Sequence, residues 1–295
     1  MNITKRRYKK LVDFERVYEF LTDTYDKETL NSYLLPQYFE YAHHLQWFDF
    51  LRSHRFGIWE NGDNMVAIAC YEMGMGQVHL HTKKGYEFLL PDTLLWAEKE
   101  LSVVQDGCQI LEVWITDKEP YKRELLKSSG YTLVHTEAVK IFDYNNPFTE
   151  KTLPDGFTII DGTKMEIQKL SDCWWAGFDH AEPPPPENNE GNMKLTNAPR
   201  FDSSLMTIVA APNGEYACAL GMWYDETNKY AYLEPLATAP QYRRLGLATI
   251  CLTEAMKKTK ALGAKYCFGG GREFYTSVGF DHVCNRELWK KEWQI

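Results

Sequence analysis

Two arginines and a glycine occur where an apolar strand gives way to a helix, in the run Arg243-Arg244-Leu245-Gly246-Leu247-Ala248-Thr249. The strand is expected over residues 231–237, and Ala239-Pro240 turns the chain before the run. The start of a helix presents free N–H groups and about half a positive charge from the macrodipole. Gly246 keeps the backbone open to close approach, and the arginines add fixed charge. The run therefore predicts a binding site for a polyanion.

The same loop excludes two common kinds of phosphate site. No Gly-Lys-Ser/Thr follows the glycine, and the spacing Gly-x-Gly-x-x-Gly is absent. ATP held with magnesium and a dinucleotide are therefore both disfavoured.

Length and composition narrow the class of protein. A chain of 295 residues with 44% hydrophobic and 14% aromatic residues is long enough for two domains with real cores. It has no apolar run of membrane-spanning length and no apolar signal segment, so a cytoplasmic protein without membrane attachment is expected. Its seven scattered cysteines predict neither a disulfide framework nor a metal site. The net charge of −8 argues against nucleic-acid binding.

The two halves of the sequence repeat each other. The segment Ile58-Trp59-Glu60-Asn61-Gly62 matches residues 208–214, and Glu124-Leu125-Leu126-Lys127-Ser128-Ser129-Gly130-Tyr131 matches residues 273–280, both at an offset of about 150. We therefore expect a duplicated α+β unit, with one domain in residues 1–150 and the other in residues 151–295. The first copy has Lys84-Gly85-Tyr86-Glu87-Phe88-Leu89-Leu90-Pro91 in place of the basic loop, without an arginine, so it is expected to exclude an anion.

These motifs resemble those of the GNAT superfamily of acetyl-CoA-dependent N-acetyltransferases. Arg243 to Ala248 fits the family pattern Arg/Gln-x-x-Gly-x-Gly/Ala, and Tyr275-Thr276-Ser277-Val278-Gly279-Phe280 is similar to its Tyr-x-x-x-Gly-Phe motif. The arrangement resembles tandem members such as mycothiol synthase, with a degenerate first domain and a catalytic second one. The implied fold is α+β. Each domain would have a mixed, mostly antiparallel twisted sheet flanked by helices, and the fourth and fifth strands of the second would be splayed apart. One departure is Phe268-Gly269-Gly270-Gly271, where family members often have an asparagine.

The resemblance implies that acetyl-CoA is the co-substrate and that its pantetheine arm enters between the splayed strands. Pro235 cannot donate to a strand ladder, which independently predicts a bulge or a splayed edge at Glu234-Pro235-Leu236. The positions that match the family's thioester-binding strand are Leu236, Ala237 and Thr238. A backbone N–H there would stabilise the charge that develops on the thioester oxygen.

Tyr275 and Glu234 are the candidate catalytic residues. A phenol with an ordinary pKa near 10 could protonate the departing thiolate, and a carboxylate in an otherwise apolar strand could take the proton of the amine, directly or through water. Alternatives remain open: Tyr275 could be a packing residue, Glu234 could face solvent, and His180 could be the base.

The acceptor is expected to be a primary amine of a small molecule or a peptide. Trp174, Trp175, Phe178 and His180, followed by Pro183 to Pro186, lie where the family builds its acceptor sites, and aromatic rings favour ammonium groups. The sequence therefore predicts an N-acetyltransferase and leaves the oligomeric state open. The alternatives are a non-catalytic acyl-CoA sensor and a protein-interaction scaffold.

Overall fold

The computed structural model describes residues 2–180 and 182–294, and the chain divides into two compact units. Unit 1 contains residues 2–43, 47–138 and 284–294, and unit 2 contains residues 44–46 and the described residues between 139 and 283. This division does not coincide with the predicted boundary after residue 150, because the last described residues return to unit 1. The assignment of residues 1–150 and 151–295 as separate domains stays a prediction.

Unit 1 is a mixed sheet with helices on it. Its strands are β1 (Ile3–Arg7), β2 (Gly57–Asn61), β3 (Asn64–Tyr71), β4 (Gln77–Thr82), β5 (Val103–Gln105), β6 (Cys108–Thr116), the first part of β7 (Thr132–Asp143) and the end of β13 (Asp281–Gln294). Its helices are α1 (Lys10–Asp23), α2 (Pro36–His44), α3 (Leu90–Glu100) and α4 (Pro120–Ser128). The order β1-β2-β3-β4-β6-β13 is antiparallel except for the parallel pair of β4 and β6.

Unit 2 repeats this plan. Its own strands are β8 (Thr158–Asp161), β9 (Thr207–Ala210), β10 (Tyr216–Asp225), β11 (Tyr230–Thr238) and β12 (Tyr266–Gly269), to which the end of β7 adds. Its helices are α5 (Ile167–Gly177), α6 (Asn188–Thr196), α7 (Leu247–Ala261) and α8 (Glu273–Ser277). The order β8-β9-β10-β11-β12-β7 has a single parallel pair, β11 with β12. The expected α+β fold, with a mixed and mostly antiparallel sheet flanked by helices in each copy, is confirmed.

The core of unit 2 forms where α7 packs on the central strands. Ile250 and Leu252 of the helix join Leu220, Met222 and Leu233 of the sheet in one buried cluster. Burying an aliphatic side chain of this size contributes about 1.5–3 kcal/mol, so the cluster fixes the position of the helix and of the loop before it.

Some local expectations were right and others wrong. The turns at Asn61-Gly62 and Asn213-Gly214 join hairpins, and both glycines have a positive φ, as their turn types require. The spacing of Leu11, Phe14, Val17, Tyr18 and Leu21 in the sequence predicts one apolar stripe, yet Leu11 is 98% exposed. The strands β1 and β13 were not predicted, because their charged residues mask the alternation. No helix among the described residues is both long and apolar enough to span a bilayer.

Candidate active site

The start of α7 presents an uninterrupted run of open backbone N–H groups. The N–H of Arg243 bonds to the carbonyl of Pro240 at 3.2 Å, and the next one with an acceptor is that of Ile250, which bonds to the Gly246 carbonyl at 3.1 Å. Among the described residues, the six N–H groups of residues 244–249 have no acceptor, and no side chain caps the helix. Because unpaired N–H groups at a helix start attract anions, this run is the strongest candidate for a phosphate site.

Two left-handed residues shape this loop. Arg244 has a φ of +67° and Gly246, which precedes the helix, has a φ of +79°. The conformation at Gly246 favours glycine, since other residues reach it only with strain. A Cβ there would meet nothing closer than Lys151 Cγ at 3.6 Å. Glycine is therefore favoured at this position by its backbone conformation. A Cβ atom would not clash with any described part of the chain.

The two arginines of the motif have different surroundings. Arg243 donates to the carbonyls of Thr238 at 3.2 Å and Gly177 at 2.9 Å, and it forms an ion pair with Asp179 at 2.8 Å. Arg243 thus connects the loop to the end of α5, and its charge is paired with that of Asp179. Arg244 is exposed, and its guanidinium makes no hydrogen bond or ion pair with any described residue. Both arginines were expected to add fixed charge, and of the two only Arg244 has no ion-pair partner among the described residues.

Lys151 is a residue that the sequence analysis missed. Its Cβ, Cγ and Cδ lie 3.6–3.9 Å from the position that a Cβ on Gly246 would take. It is exposed, and its ammonium group has no partner among the described residues. It lies nearly a hundred residues before the loop, in a segment without a motif, so no sequence signal could have found it.

The strand before the loop has the predicted bulge. Between the pairs Leu220–Leu236 and Met222–Leu233, β10 contributes only Gly221, whereas β11 contributes Glu234 and Pro235. A Cβ on Gly221 would lie 2.7 Å from the Glu234 carbonyl oxygen, so only glycine fits opposite the bulge. That carbonyl also accepts a hydrogen bond from Trp223 Nε1 at 2.9 Å.

The gap beside β11 begins where its pairing with β12 ends. The parallel ladder runs only from Tyr230–Tyr266 to Tyr232–Phe268, although β11 continues to Thr238. The expected separation of the fourth and fifth strands of the second copy is therefore present. It leaves residues 233–238 without a partner strand on that side within the described chain.

The register of β10 and β11 decides which backbone groups face this gap. The N–H of Ala239 bonds to the Ala217 carbonyl at 3.0 Å, so residue 239 and, by alternation, residue 237 are turned toward β10. The N–H groups of Leu236 and Thr238 then point the other way, toward the gap. Of the three strand residues singled out in the sequence, two have backbone donors directed at the gap, and Ala237 has its own directed at β10.

Tyr275 lies on the far side of the gap. Its side chain is 8% exposed, and its ring lies 5.2 Å from that of Phe274 and 5.3 Å from that of Phe280. A Cβ on Gly269, the last residue of β12, would be 2.7 Å from the Tyr275 ring, and one on Gly270 would be 2.8 Å from it. The glycines that replace the family's asparagine thus allow the ring to pack on the end of β12.

Burial and a neighbouring carboxylate set the protonation of this tyrosine. Burial, and next the negative charge of Glu234, raise the pKa of Tyr275 well above its usual value. The ordinary pKa assumed from the sequence is therefore wrong for this structure, because the phenolate would be formed in an apolar place beside another anion. The shift keeps the phenol protonated, as a proton donor requires. It also shows that Glu234 and Tyr275 are brought within electrostatic reach of each other.

Lys140 of β7 holds the backbone that leads into α8. Its buried ammonium group donates to the carbonyls of Gly271 at 2.9 Å and Arg272 at 3.0 Å. These contacts restrain the glycine segment before Tyr275, which would otherwise be free to move.

The residues expected to bind the acceptor are only partly available. Trp174 is a core residue, with Nε1 donating to the Ala219 carbonyl at 3.3 Å. Trp175 is held by the Glu182 carbonyl at 2.6 Å and stacks on His180 at 3.9 Å. Phe178 is 47% exposed and remains free to contact a ligand. No cluster of three or more metal-binding side chains occurs among residues 2–180 and 182–294.

Comparisons with known proteins agree with this geometry. Residues 167–280 match the model of the acetyltransferase (GNAT) family. No curated protein sequence matches the chain significantly. A tandem GNAT protein from the clavulanic acid biosynthesis pathway is similar in structure, with a TM-score of 0.64 and 8% identity over 99% of this chain and 98% of that one.

Two further proteins are similar in structure over the full length. A GCN5-related N-acetyltransferase from Sphaerobacter thermophilus has a TM-score of 0.62 and 14% identity, covering 99% of this chain and 97% of its own. A GNAT-family acetyltransferase from Colwellia psychrerythraea has a TM-score of 0.60 and 13% identity, covering 100% of both chains. Residues 167–280 therefore match a family of acyltransferases, and the chain as a whole has the fold of tandem GNAT proteins.

Proposed function

We propose that unit 2 transfers an acetyl group from acetyl-CoA directly to a primary amine of a small molecule or peptide. The observation that supports this most is the run of six N–H groups at the start of α7 that have no acceptor among the described residues. They lie next to a strand edge that has no partner in the described part of the chain. A polyanionic coenzyme with a linear arm needs both features, one for its phosphates and one for the arm.

The loop residues have divided roles in binding. The backbone N–H groups of residues 244–249 would hold the pyrophosphate, while Arg244 and Lys151 supply the unpaired positive charge. Arg243 would act on the coenzyme only through the loop that it restrains. The N–H groups of Leu236 and Thr238 would bind the arm and the thioester oxygen.

The chemistry uses one proton acceptor and one proton donor. Glu234 would remove a proton from the attacking amine, directly or through water, as the C–N bond forms. The N–H groups of β11 would stabilise the negative charge on the carbonyl oxygen. As the C–S bond breaks, Tyr275 would donate its phenolic proton to the thiolate. Its raised pKa ensures that the phenol is protonated before the transfer, although it also makes the phenol a weaker acid.

Turnover with a panel of primary amines tests this proposal. The full chain would be incubated with acetyl-CoA and each amine, and both free thiol and acetylated product would be measured. We expect stoichiometric release of thiol and product with at least one amine. Coenzyme binding without product would favour a sensor, and the absence of coenzyme binding would favour a scaffold. The cytoplasmic location stays a prediction.

A further inference from the structure

The ammonium group of Lys140 is connected to the backbone of Tyr275 through one shared acceptor. The carbonyl of Arg272 accepts from Lys140 Nζ at 3.0 Å and from the N–H of Tyr275 at 3.1 Å. A second bond, from Lys140 Nζ to the Gly271 carbonyl at 2.9 Å, fixes the preceding peptide. Lys140 is 7% exposed and lies directly opposite Gly269, the last residue of β12. Loss of these bonds would therefore release the start of α8, on which the tyrosine lies.

The buried charge of Lys140 has no carboxylate partner within the described chain. Its ammonium group forms no ion pair there, and its hydrogen bonds go to the two carbonyls. Taking an ammonium group out of water is costly unless it is paired, and two carbonyls offset only part of that cost. The charge is therefore a feature that needs a reason beyond packing.

Unit 1 has the opposite charge at the corresponding position. In each unit, the residue after the last pair of the parallel ladder has a partner on the next antiparallel strand. That partner is Glu287 of β13 for Ile115 in unit 1, and Lys140 of β7 for Gly269 in unit 2. The Glu287 carboxylate accepts from Arg123 Nε at 3.1 Å and from its Nη2 at 2.7 Å. Unit 1 thus uses this position to pair the side chain of an arginine.

The repeat places that arginine in register with Arg272. Arg123 matches Arg272 at the same offset at which Leu126 matches Tyr275. The guanidinium of Arg272 is exposed and has no hydrogen bond or ion pair with any described residue, while its carbonyl is bonded to the buried ammonium group. In the unit that has a tyrosine in place of leucine, the backbone is therefore held and the charge of the arginine is left unpaired.

The segment that Lys140 holds also carries groups that make Tyr275 a stronger acid. Burial and the charge of Glu234 raise the pKa of Tyr275, whereas the backbone N–H of Gly270 and the charge of Arg272 act in the opposite direction. Both opposing groups favour the phenolate, which is the form that remains once the proton has moved to the thiolate. Their effect depends on where this segment lies relative to the phenol.

We propose that Lys140 is a positioning residue for the transfer reaction, which acts through Tyr275 and does not touch the substrates. It keeps the phenol beside the Gly270 N–H and the Arg272 guanidinium, where it can donate to the leaving thiolate. This inference rests on the proposed function of unit 2, because it assigns a supporting residue to the proton donor of that reaction. Since Lys140 lies in residues 1–150, the site of the second repeat depends on a residue of the first.

A double-mutant cycle in the full chain tests the proposal. The kcat and the KM for acetyl-CoA would be measured with the best amine for Lys140→Met, for Tyr275→Phe and for the two combined. We expect Lys140→Met alone to lower kcat about 10- to 100-fold with less than about a twofold change in KM, since a misplaced catalytic group costs rates of that order. In the Tyr275→Phe background it should lower kcat less than about twofold, because the proton donor is already absent. Lys140→Arg, which keeps the charge and the donors, should retain most of the activity.

Lys258→Met is the matched control. Its ammonium group also donates to a backbone carbonyl of unit 2, that of Met206 before β9, and β10 and β11 separate that strand from β12. We expect its kcat to stay near that of the parent chain. Thermal unfolding of all variants would be compared, and Lys140→Gln, which keeps an amide donor, replaces Lys140→Met in the cycle if the latter does not fold.

Three results would overturn the proposal. These are an equal loss of kcat from Lys140→Met in both backgrounds, an equal loss from Lys258→Met, and a rise in KM with kcat unchanged. If the parent chain acetylates no amine, the proposed function itself fails, and hydrogen exchange then decides whether Lys140 positions the tyrosine. Exchange in residues 271–277 should be faster in Lys140→Met than in Lys258→Met, and equal exchange in the two variants would contradict the positioning role.

Discussion

The helices α3 and α7 follow the same strand of the repeated sheet, yet their starts differ in charge and in free hydrogen-bond donors. Before α3, the Glu87 carboxylate accepts the Gly85 N–H, and Pro91 in the first turn has no N–H to offer. Before α7, the N–H groups of residues 244–249 have no acceptor in the described chain. Of these two helix starts, only that of α7 has backbone donors left for an anion from outside the described chain.

The gaps beside the two parallel strand pairs also differ in the charge of their polar side chains. Two residues beyond the last pair, β4 has His81 and β11 has Glu234. His81 is bonded to Thr24 Oγ1 at 2.7 Å, and burial, together with the charge of Lys122, lowers the pKa of His81 to about 3, so that it is neutral at ordinary pH. At this position unit 1 thus has a buried neutral histidine, whereas unit 2 has a carboxylate within electrostatic reach of the phenol of Tyr275.

Of the proposed substitutions, Gly246→Glu should weaken acetyl-CoA binding the most. The variant places bulk and negative charge at the open N–H groups and strains a residue with a φ of +79°. We expect acetyl-CoA binding to weaken by roughly 3 kcal/mol or more, which is more than about 100-fold. Calorimetric titration of the folded variant measures this loss. Gly214→Glu is the matched control, since it has a φ of +84° in a hairpin turn with nothing near its Cβ position. Unchanged affinity in Gly246→Glu would mean that the loop is only a turn.

Tyr275→Phe should lower turnover by about 10²–10⁴, the range for a positioned acid, while coenzyme affinity is retained. Because the pKa of Tyr275 is raised, the wild-type rate should also show no decline near pH 10 from loss of the phenolic proton. Steady-state rates from about pH 6 to 10 would be compared with those of Tyr224→Phe, a tyrosine whose hydroxyl bonds to the Leu262 carbonyl. Full activity in Tyr275→Phe would make this residue a packing residue.

Glu234→Gln should lower turnover less at high pH than at low pH. An amine that arrives already deprotonated needs no base, so the defect should shrink as the pH rises. The tyrosine variant should not recover in this way, because its missing proton is needed by the leaving thiolate. The same pH series measures both variants. An equal fractional loss at every pH would mean that Glu234 positions the amine and does not deprotonate it.

Arg244→Ala and Lys151→Ala should have the smallest effects. Each removes an exposed charge near the phosphates, so the KM for acetyl-CoA should rise about two- to fivefold, and the rise should fade at high salt. Arg243→Ala should instead lower the thermal stability, because it removes contacts with Gly177, Thr238 and Asp179. A larger KM effect from Arg243 than from Arg244, without loss of stability, would reverse the roles assigned to the two arginines.

The local parts of the site could be predicted from the sequence. The loop of residues 243–249 and the bulge at Pro235 follow from residue types at fixed spacing, since turn and helix-start chemistry acts over a few residues. Tyr275 was singled out by the resemblance to a family motif. The contact between Arg243 and the end of α5 could not be predicted, because its partner Gly177 lies far away in sequence. Burial of Tyr275 and the approach of Lys151 also depend on tertiary packing. The return of the end of β13 to unit 1 depends on strand pairing over more than 150 residues, which no local pattern encodes.

A structure of the full chain with acetyl-CoA tests the central claim most directly. The account predicts one coenzyme per chain, with its pyrophosphate on the N–H groups of residues 244–249. Its thioester should lie in the gap between Glu234 and Tyr275, and unit 1 should contain no coenzyme. A coenzyme in unit 1, or one whose thioester lies outside the gap of unit 2, would contradict the account.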